Sequence, residues 1–236
     1  MAPLPADPSS SADVPPDPTG AVPAAPEGMT ARVLEREADR LHARYPELGD
    51  RESVHALLLD SYARLARTSR HPEMLASTAA NDAAARLRAR AIATGTLESR
   101  HPRVLFVCHG NAGRSQMAAA LLENRSDGAV KARSAGTSPA GSVLPLALDA
   151  MSEIGLPLHH AFPKGVDPDV LRVAQIVVLF DGAEPFDVPE HVEVQRWSVP
   201  SIRGMGIEQV RGVREALDLQ VRGLIAELQE QGPGAA

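Results

Sequence analysis

The segment Val107-Cys108-His109-Gly110-Asn111-Ala112-Gly113-Arg114-Ser115 constrains this chain more than any other. Ahead of it, Arg103 to Val107 is a brief β-branched and aromatic run that reads as a buried strand, and Ser115 to Leu122 behind it suits a helix. A strand that turns directly into a helix is half of a βαβ unit, so a parallel sheet is expected. Ligands of such sheets bind beyond the carboxyl ends of the strands, where helix N-termini present unpaired N–H groups and partial positive charge. Five residues separate Cys108 from Arg114, enough to wrap a tetrahedral oxyanion. Gly110 and Gly113 let that loop turn tightly with its amides inward, His109 and Ala112 supply further amides, and Arg114 can return across the ring as a planar fork.

The same field favours the thiolate of Cys108, which is the nucleophilic form. Ser115 is placed to cap the helix and donate to the sulfur, and Asn111 tolerates the left-handed geometry of a loop strut. His109 reads as a donor of its amide rather than as an acid or base. The competing reading of the segment is a glycine-containing turn with a buried, inert cysteine. Cys108 is the single cysteine of the chain, so an intramolecular disulfide is excluded and any cysteine chemistry ends on an external thiol or on none.

The 236 residues are 44% hydrophobic and 3% aromatic, sufficient for one medium domain and a smaller one. A net charge of -6 gives no global attraction to nucleic acid or anionic lipid. No apolar run approaches the roughly 20 residues that span a bilayer, and no signal pattern opens the chain, so a cytoplasmic location is expected.

Residues 1–27 hold 8 of the 20 prolines and no apolar periodicity, and are read as a disordered tail. Residues 28–98 are read as a three-helix bundle. Its first helix carries Val33, Leu34, Ala38 and Leu41, and its second is N-capped by Asp50 and striped with Val54, Leu57, Leu58, Tyr62 and Leu65. Its third starts at Pro72 and carries Leu75, Ala79, Ala83 and Leu87. The second stripe has two possible uses, homodimerisation and packing within the bundle, and the second is simpler. Residues 101–232 are read as an α/β domain with strands near Val130 to Ser134, Ile176 to Phe180 and Val192 to Trp197. A helix near Leu144 to Ile154 and a closing helix from Ile207 to Gln229 complete it.

The loop, the following Ser115-Gln116-Met117-Ala118-Ala119-Ala120 and the strand end Arg133-Ser134-Ala135-Gly136-Thr137 resemble the low-molecular-weight protein tyrosine phosphatase superfamily, in its arsenate reductase branch. The preceding helices are similar to the three-helix domain found ahead of actinobacterial arsenate reductases. The resemblance implies an α/β fold with a four-stranded parallel sheet flanked by helices, and a supporting role for Ser134 toward Asn111. It implies two reactions on one loop and no cofactor. A phosphatase passes a phosphoryl group from tyrosine through Cys108 to water. An arsenate reductase forms a Cys108 adduct that a second thiol resolves, taken here from mycothiol with a glutaredoxin-like mycoredoxin, or from thioredoxin. A third alternative is a degraded relative that binds an oxyanion without turnover.

The family's Asp-Pro general acid follows Trp-x-x-Pro, whereas Trp197-Ser198-Val199-Pro200 is followed here by Ser201-Ile202. Asp181 and Asp187, after the third strand, are possible substitutes, with an ordinary polar turn as the alternative. His159 and His160 lack further ligands at metal-binding spacing and are read as surface loop residues. Lys164 is placed near the site's rim by analogy with the family. Arg203, Arg211 and Arg214 either line an approach for anions or form a solvated helix face, and Trp197 reads as a strand-end core residue.

Overall fold

The structure, a computed structural model, describes residues 26–230 apart from Thr68, Arg70, His71 and His160. The proline-rich stretch up to residue 25 and residues 231–236 lie outside the described residues.

Three helices come first: α1 Gly28–Arg44, α2 Arg51–Ala66 and α3 Leu75–Ala93, with short 3-10 turns at Pro46–Leu48 and Pro72–Met74. Asp50 caps α2 through its side chain, which accepts the Ser53 N–H at 2.8 Å. Pro72 opens the second 3-10 turn, and α3 begins only at Leu75. Leu34, Ala38 and Leu41 of α1 meet Val54, Leu57, Leu58 and Leu65 of α2 and Leu75, Ala79, Ala83 and Leu87 of α3 in one apolar core. Tyr62 stands at the edge of this core, and the polar Ser61 is buried in the same helix.

The α/β part follows in the order β1 Arg103–Cys108, α4 Arg114–Arg125, β2 Lys131–Gly136, α5 Pro145–Ser152, α6 Pro168–Arg172, β3 Ile176–Phe180, β4 Glu193–Trp197 and α7 Ile207–Glu230. The sheet order is β2-β1-β3-β4 and every pairing is parallel. The path leaves β1 toward β2 on one side and reaches β3 on the other, so the end of β1 is the topological switch point where ligands of open sheets bind.

Alternation along β1 divides its side chains. Val104, Phe106 and Cys108 face the core shared with α4, α5 and α7, where Val210, Val213, Leu217, Val221, Leu224 and Leu228 of α7 are buried. Leu105 and Val107 face a smaller core with Leu171, Ala174, Val177 and Val192. Helix α6 was not legible in the sequence, because five residues carry no period; Asp167 caps it by accepting the N–H groups of Asp169 and Val170. Among the described residues no helix is long and apolar enough to cross a membrane.

Candidate active site

The loop between β1 and α4 is shaped by where its carbonyls go. Those of Cys108, His109, Gly110 and Ala112 accept N–H groups of Thr137, Ser138, Ala140 and Leu144, at 3.1, 2.9, 2.9 and 2.8 Å. The Asn111 carbonyl accepts Gln116 Nε2 at 3.1 Å, and that of Gly113 accepts Met117 N at 3.0 Å. A trans peptide plane points its N–H opposite to its C=O. With these carbonyls turned outward, the N–H groups of residues 109 to 114 turn toward the interior of the loop. The Asn111 N–H confirms the direction, since it meets Cys108 Sγ at 3.2 Å. A converging set of main-chain donors is an anion site.

Cys108 ends β1 almost completely buried, and its sulfur lies 3.0 Å from Ser115 Oγ. Ser115 Oγ accepts Asn111 Nδ2 at 2.9 Å, and because a thiolate carries no hydrogen, the serine hydroxyl is the donor when the sulfur is ionised. Asn111 is held with φ of 49°, and its Oδ1 accepts Gln116 Nε2 at 3.0 Å and the main-chain N–H of Lys164 at 3.0 Å. Ser115 therefore stands within hydrogen-bond reach of the sulfur, but it does not cap α4: the helix starts at Arg114, and Gly113 is an N-cap without a side-chain bond.

Ser134 supports Asn111 at one remove. Its Oγ donates to Gln116 Oε1 at 3.1 Å, and Gln116 in turn holds Asn111 through both its carbonyl and its side chain. The sequence reading passed over Gln116 because a glutamine in a helix's first turn is usually solvated, whereas this one is buried beneath the loop. Close approach also fixes Gly136 and Gly113. A Cβ at Gly136 would stand 2.6 Å from His109 O and 2.8 Å from Asn111 N, and one at Gly113 would stand 2.5 Å from Ile202 Cδ1.

The Arg114 guanidinium is buried and steered from behind. Nη1 donates to Val199 O at 2.8 Å, Nη2 donates to Asp181 O at 3.0 Å, and the group lies over the Phe180 ring at 5.5 Å. These bonds use two of a guanidinium's five N–H groups and leave Nε and the outer positions for an anion. Trp197 backs this floor edge-on to Phe106 and Phe180, with ring centroids 5.5 and 6.0 Å apart.

Asp181 is exposed at the end of β3, its carboxylate accepting Ser198 Oγ at 2.7 Å and its carbonyl adjoining Arg114. Asp187 is exposed further along the same loop. Between them Glu184 donates its N–H to Thr137 Oγ1 at 3.1 Å and brings its carboxylate 3.7 Å from His109 Nδ1. Where the family's general acid would stand, Ser201 is exposed and Ile202 is buried against Gly113.

Lys164 lies beside the loop and is part-buried. Its Nζ stands next to the Phe162 ring and carbonyl, at 4.4 Å from the ring centroid, and desolvation pulls its pKa down to about 8. The main chain of Lys164, rather than its charge, touches the loop. Arg211 and Arg214 are engaged by Glu153 at 2.5 and 3.1 Å, tying α7 to α5 rather than lining an approach. His159 is exposed, His160 lies outside the described residues, and no cluster of three metal-ligating side chains occurs among the described residues.

Loop, buried cysteine and returning arginine define a protein that grips a tetrahedral anion beside a thiol. Residues 103–233 match the family described as low molecular weight phosphotyrosine protein phosphatase, and residues 34–91 match a protein-tyrosine-phosphatase-like N-terminal domain. The chain belongs to the low molecular weight phosphotyrosine protein phosphatase family. It is 33% identical over 128 residues to a putative arsenate reductase of Halobacterium salinarum, covering 52% of this chain and 89% of that protein. An arsenate reductase of Bacillus subtilis is 32% identical over 110 residues, 45% of this chain and 78% of its own. Among solved structures, the thioredoxin-dependent arsenate reductase of Corynebacterium glutamicum superposes with a TM-score of 0.76 at 32% identity, covering 86% of this chain and all of that one. That span is too long for the α/β part alone and takes in the helices ahead of it.

Proposed function

We propose that this chain is an arsenate reductase in which Cys108 attacks arsenate held in the 108–114 loop and an external thiol completes the reduction. The observation that carries it is the run of outward carbonyls from Cys108 to Gly113, which turns the intervening amides toward the interior of the loop that holds the sulfur. Similarity to arsenate reductases across two structural units supports arsenate as the substrate.

In the first step Cys108 Sγ forms a bond to arsenic(V), and one arsenate oxygen leaves as water after protonation. The loop amides and Arg114 hold the remaining oxygens, and Ser115 steadies the sulfur. An external thiolate then attacks Sγ. The S–As bond breaks with both electrons going to arsenic, arsenite departs, and Cys108 is left in a mixed disulfide that a second thiol reduces. The lone cysteine requires both thiols to come from outside, from mycothiol with a mycoredoxin or from thioredoxin. Such thiols are maintained in the cytoplasm, the setting that suits the cycle.

One position bears on both reactions and on the tyrosine phosphatase most. A phenolate leaving group and the arsenate oxygen that leaves as water each take a proton, and the aligned site carries Ser201 with Ile202 packed on the loop. Asp181, next to Arg114, is the substitute donor the geometry favours over Asp187. Purified protein incubated with arsenate and either thiol system is expected to release arsenite, with little hydrolysis of para-nitrophenyl phosphate. Rapid hydrolysis without arsenite would establish the phosphatase instead. Silence in both, with phosphate still bound, would leave an oxyanion-binding module.

A further inference from the structure

The strand-like segment from Phe162 to Asp167 joins two parts of the molecule. On one side its main chain holds the loop: Phe162 O accepts Gln116 Nε2 at 2.8 Å, Lys164 N–H donates to Asn111 Oδ1 at 3.0 Å, and Lys164 O accepts Gly136 N at 2.9 Å. Gly165 pairs with Gly136 in an isolated parallel bridge. On the other side it ends at Asp167, whose side chain is 7% exposed and whose Oδ2 meets Arg64 Nη1 of α2 at 2.6 Å and Arg86 Nε of α3 at 2.7 Å. Arg86 is itself fixed by Asp60 at 2.7 Å and Ser61 at 2.8 Å. Its Nε–H is not aligned as a hydrogen bond, so charge holds it against Asp167.

Buried ion pairs of this kind add little stability over apolar packing, because desolvating the charges offsets their attraction. They do fix geometry. Here the fixed point is the end of the segment that grips Asn111, and Asn111 sets both the loop conformation and the Ser115 hydroxyl. We propose that Asp167 is a positioning residue for the oxyanion loop, through which the three-helix part braces Asn111. The proposal rests on the reading of that loop as an anion site.

The test uses the full chain and reads the phosphate concentration that protects Cys108 from iodoacetamide. Asp167→Asn keeps the cap acceptor of α6 and removes the charge that seats Arg64 and Arg86. Its protecting concentration is expected to rise roughly two- to thirtyfold, the range for changes along a coupling network. Asp169→Asn is the comparison, because Asp169 makes the exposed pair with Arg90 at 2.9 Å across the same boundary without reaching Asn111; its protecting concentration stays at the wild-type value. Should Asp167→Asn fail to fold, Arg64→Met reports on the same contact and shifts in the same direction. A wild-type value in the Asp167 or Arg64 variant overturns the proposal while leaving the anion site standing. Absence of protection in the wild type overturns both.

Discussion

Ser115 Oγ sits 3.0 Å from Cys108 Sγ while accepting the amide of Asn111, so toward a thiolate, which has no hydrogen of its own, the serine is the donor. A hydrogen bond to a charged group contributes about 1.5–3 kcal/mol. Ser115→Ala is therefore expected to lower kcat for arsenate reduction roughly tenfold or more with little change in KM, since the donor acts on the sulfur and not on the anion. Steady-state kinetics check this. A change confined to KM would contradict it.

Gly136 and Gly113 both lack room for a Cβ, but they meet different obstacles. Gly136→Ala drives a methyl against main-chain atoms of His109 and Asn111, which cannot yield without moving the loop. It is expected to cost about 1–3 kcal/mol of stability, as overpacking does, and to abolish phosphate protection of Cys108. Gly113→Ala meets side-chain atoms instead, Cδ1 and Cγ1 of Ile202 at 2.5 and 2.8 Å. The double change Gly113→Ala with Ile202→Ala should restore the protection that Gly113→Ala weakens. Equal damage in both glycine variants, unrelieved by Ile202→Ala, would show the clash to be misassigned.

General acids contribute roughly two to four orders of magnitude, so Ser201→Asp is expected to raise para-nitrophenyl phosphate turnover by at least about tenfold. Ser201 is exposed, so the change does not disturb the core. An unaltered rate with normal phosphate affinity would mean that a donor already acts from elsewhere, with Asp181 the first to replace by Asn.

Burial lowers Lys164 to about 8 from an ordinary 10.5, so between these values the unfolded chain holds the extra proton and folding gains as pH rises. The stability of the wild type relative to Lys164→Met should thus climb from about pH 8 to about 10.5 and be level below 8. Urea titrations across that range check it. A difference that is flat with pH, or falls, would place the ammonium in a better solvated setting. Glu153 has the opposite sign: Arg211 and then Arg214 hold its carboxyl at about 2, so the stability it provides is present above 4.5 and is lost as pH falls toward 2.

Much of this molecule was legible because periodicity and motif agreed. The run from Arg103 to Val107, the Cys108 to Arg114 spacing and the stripe on α7 each point to one local structure; the alternation of strands and helices implies a parallel sheet, and the family resemblance its four strands. Roles that depend on what crosses the chain were not legible. Ser134 reaches Asn111 only through Gln116, and Lys164 serves by its main chain, which no side-chain reading exposes. Asp167-Pro168 carried a cap signature in hindsight. Its pairing with Arg64, over a hundred residues away in sequence, required the folded arrangement of the helices against α6.

The direct test of the central claim compares the wild type with Cys108→Ser, measuring arsenite release and phosphate affinity on the same preparations. The substitution removes the nucleophile and leaves the amide ring and Arg114 in place, so arsenite release should vanish while phosphate affinity stays within about threefold, near the half-kcal/mol scale of a change that leaves the contacts standing. Arsenite formation by Cys108→Ser at the wild-type rate would contradict the account.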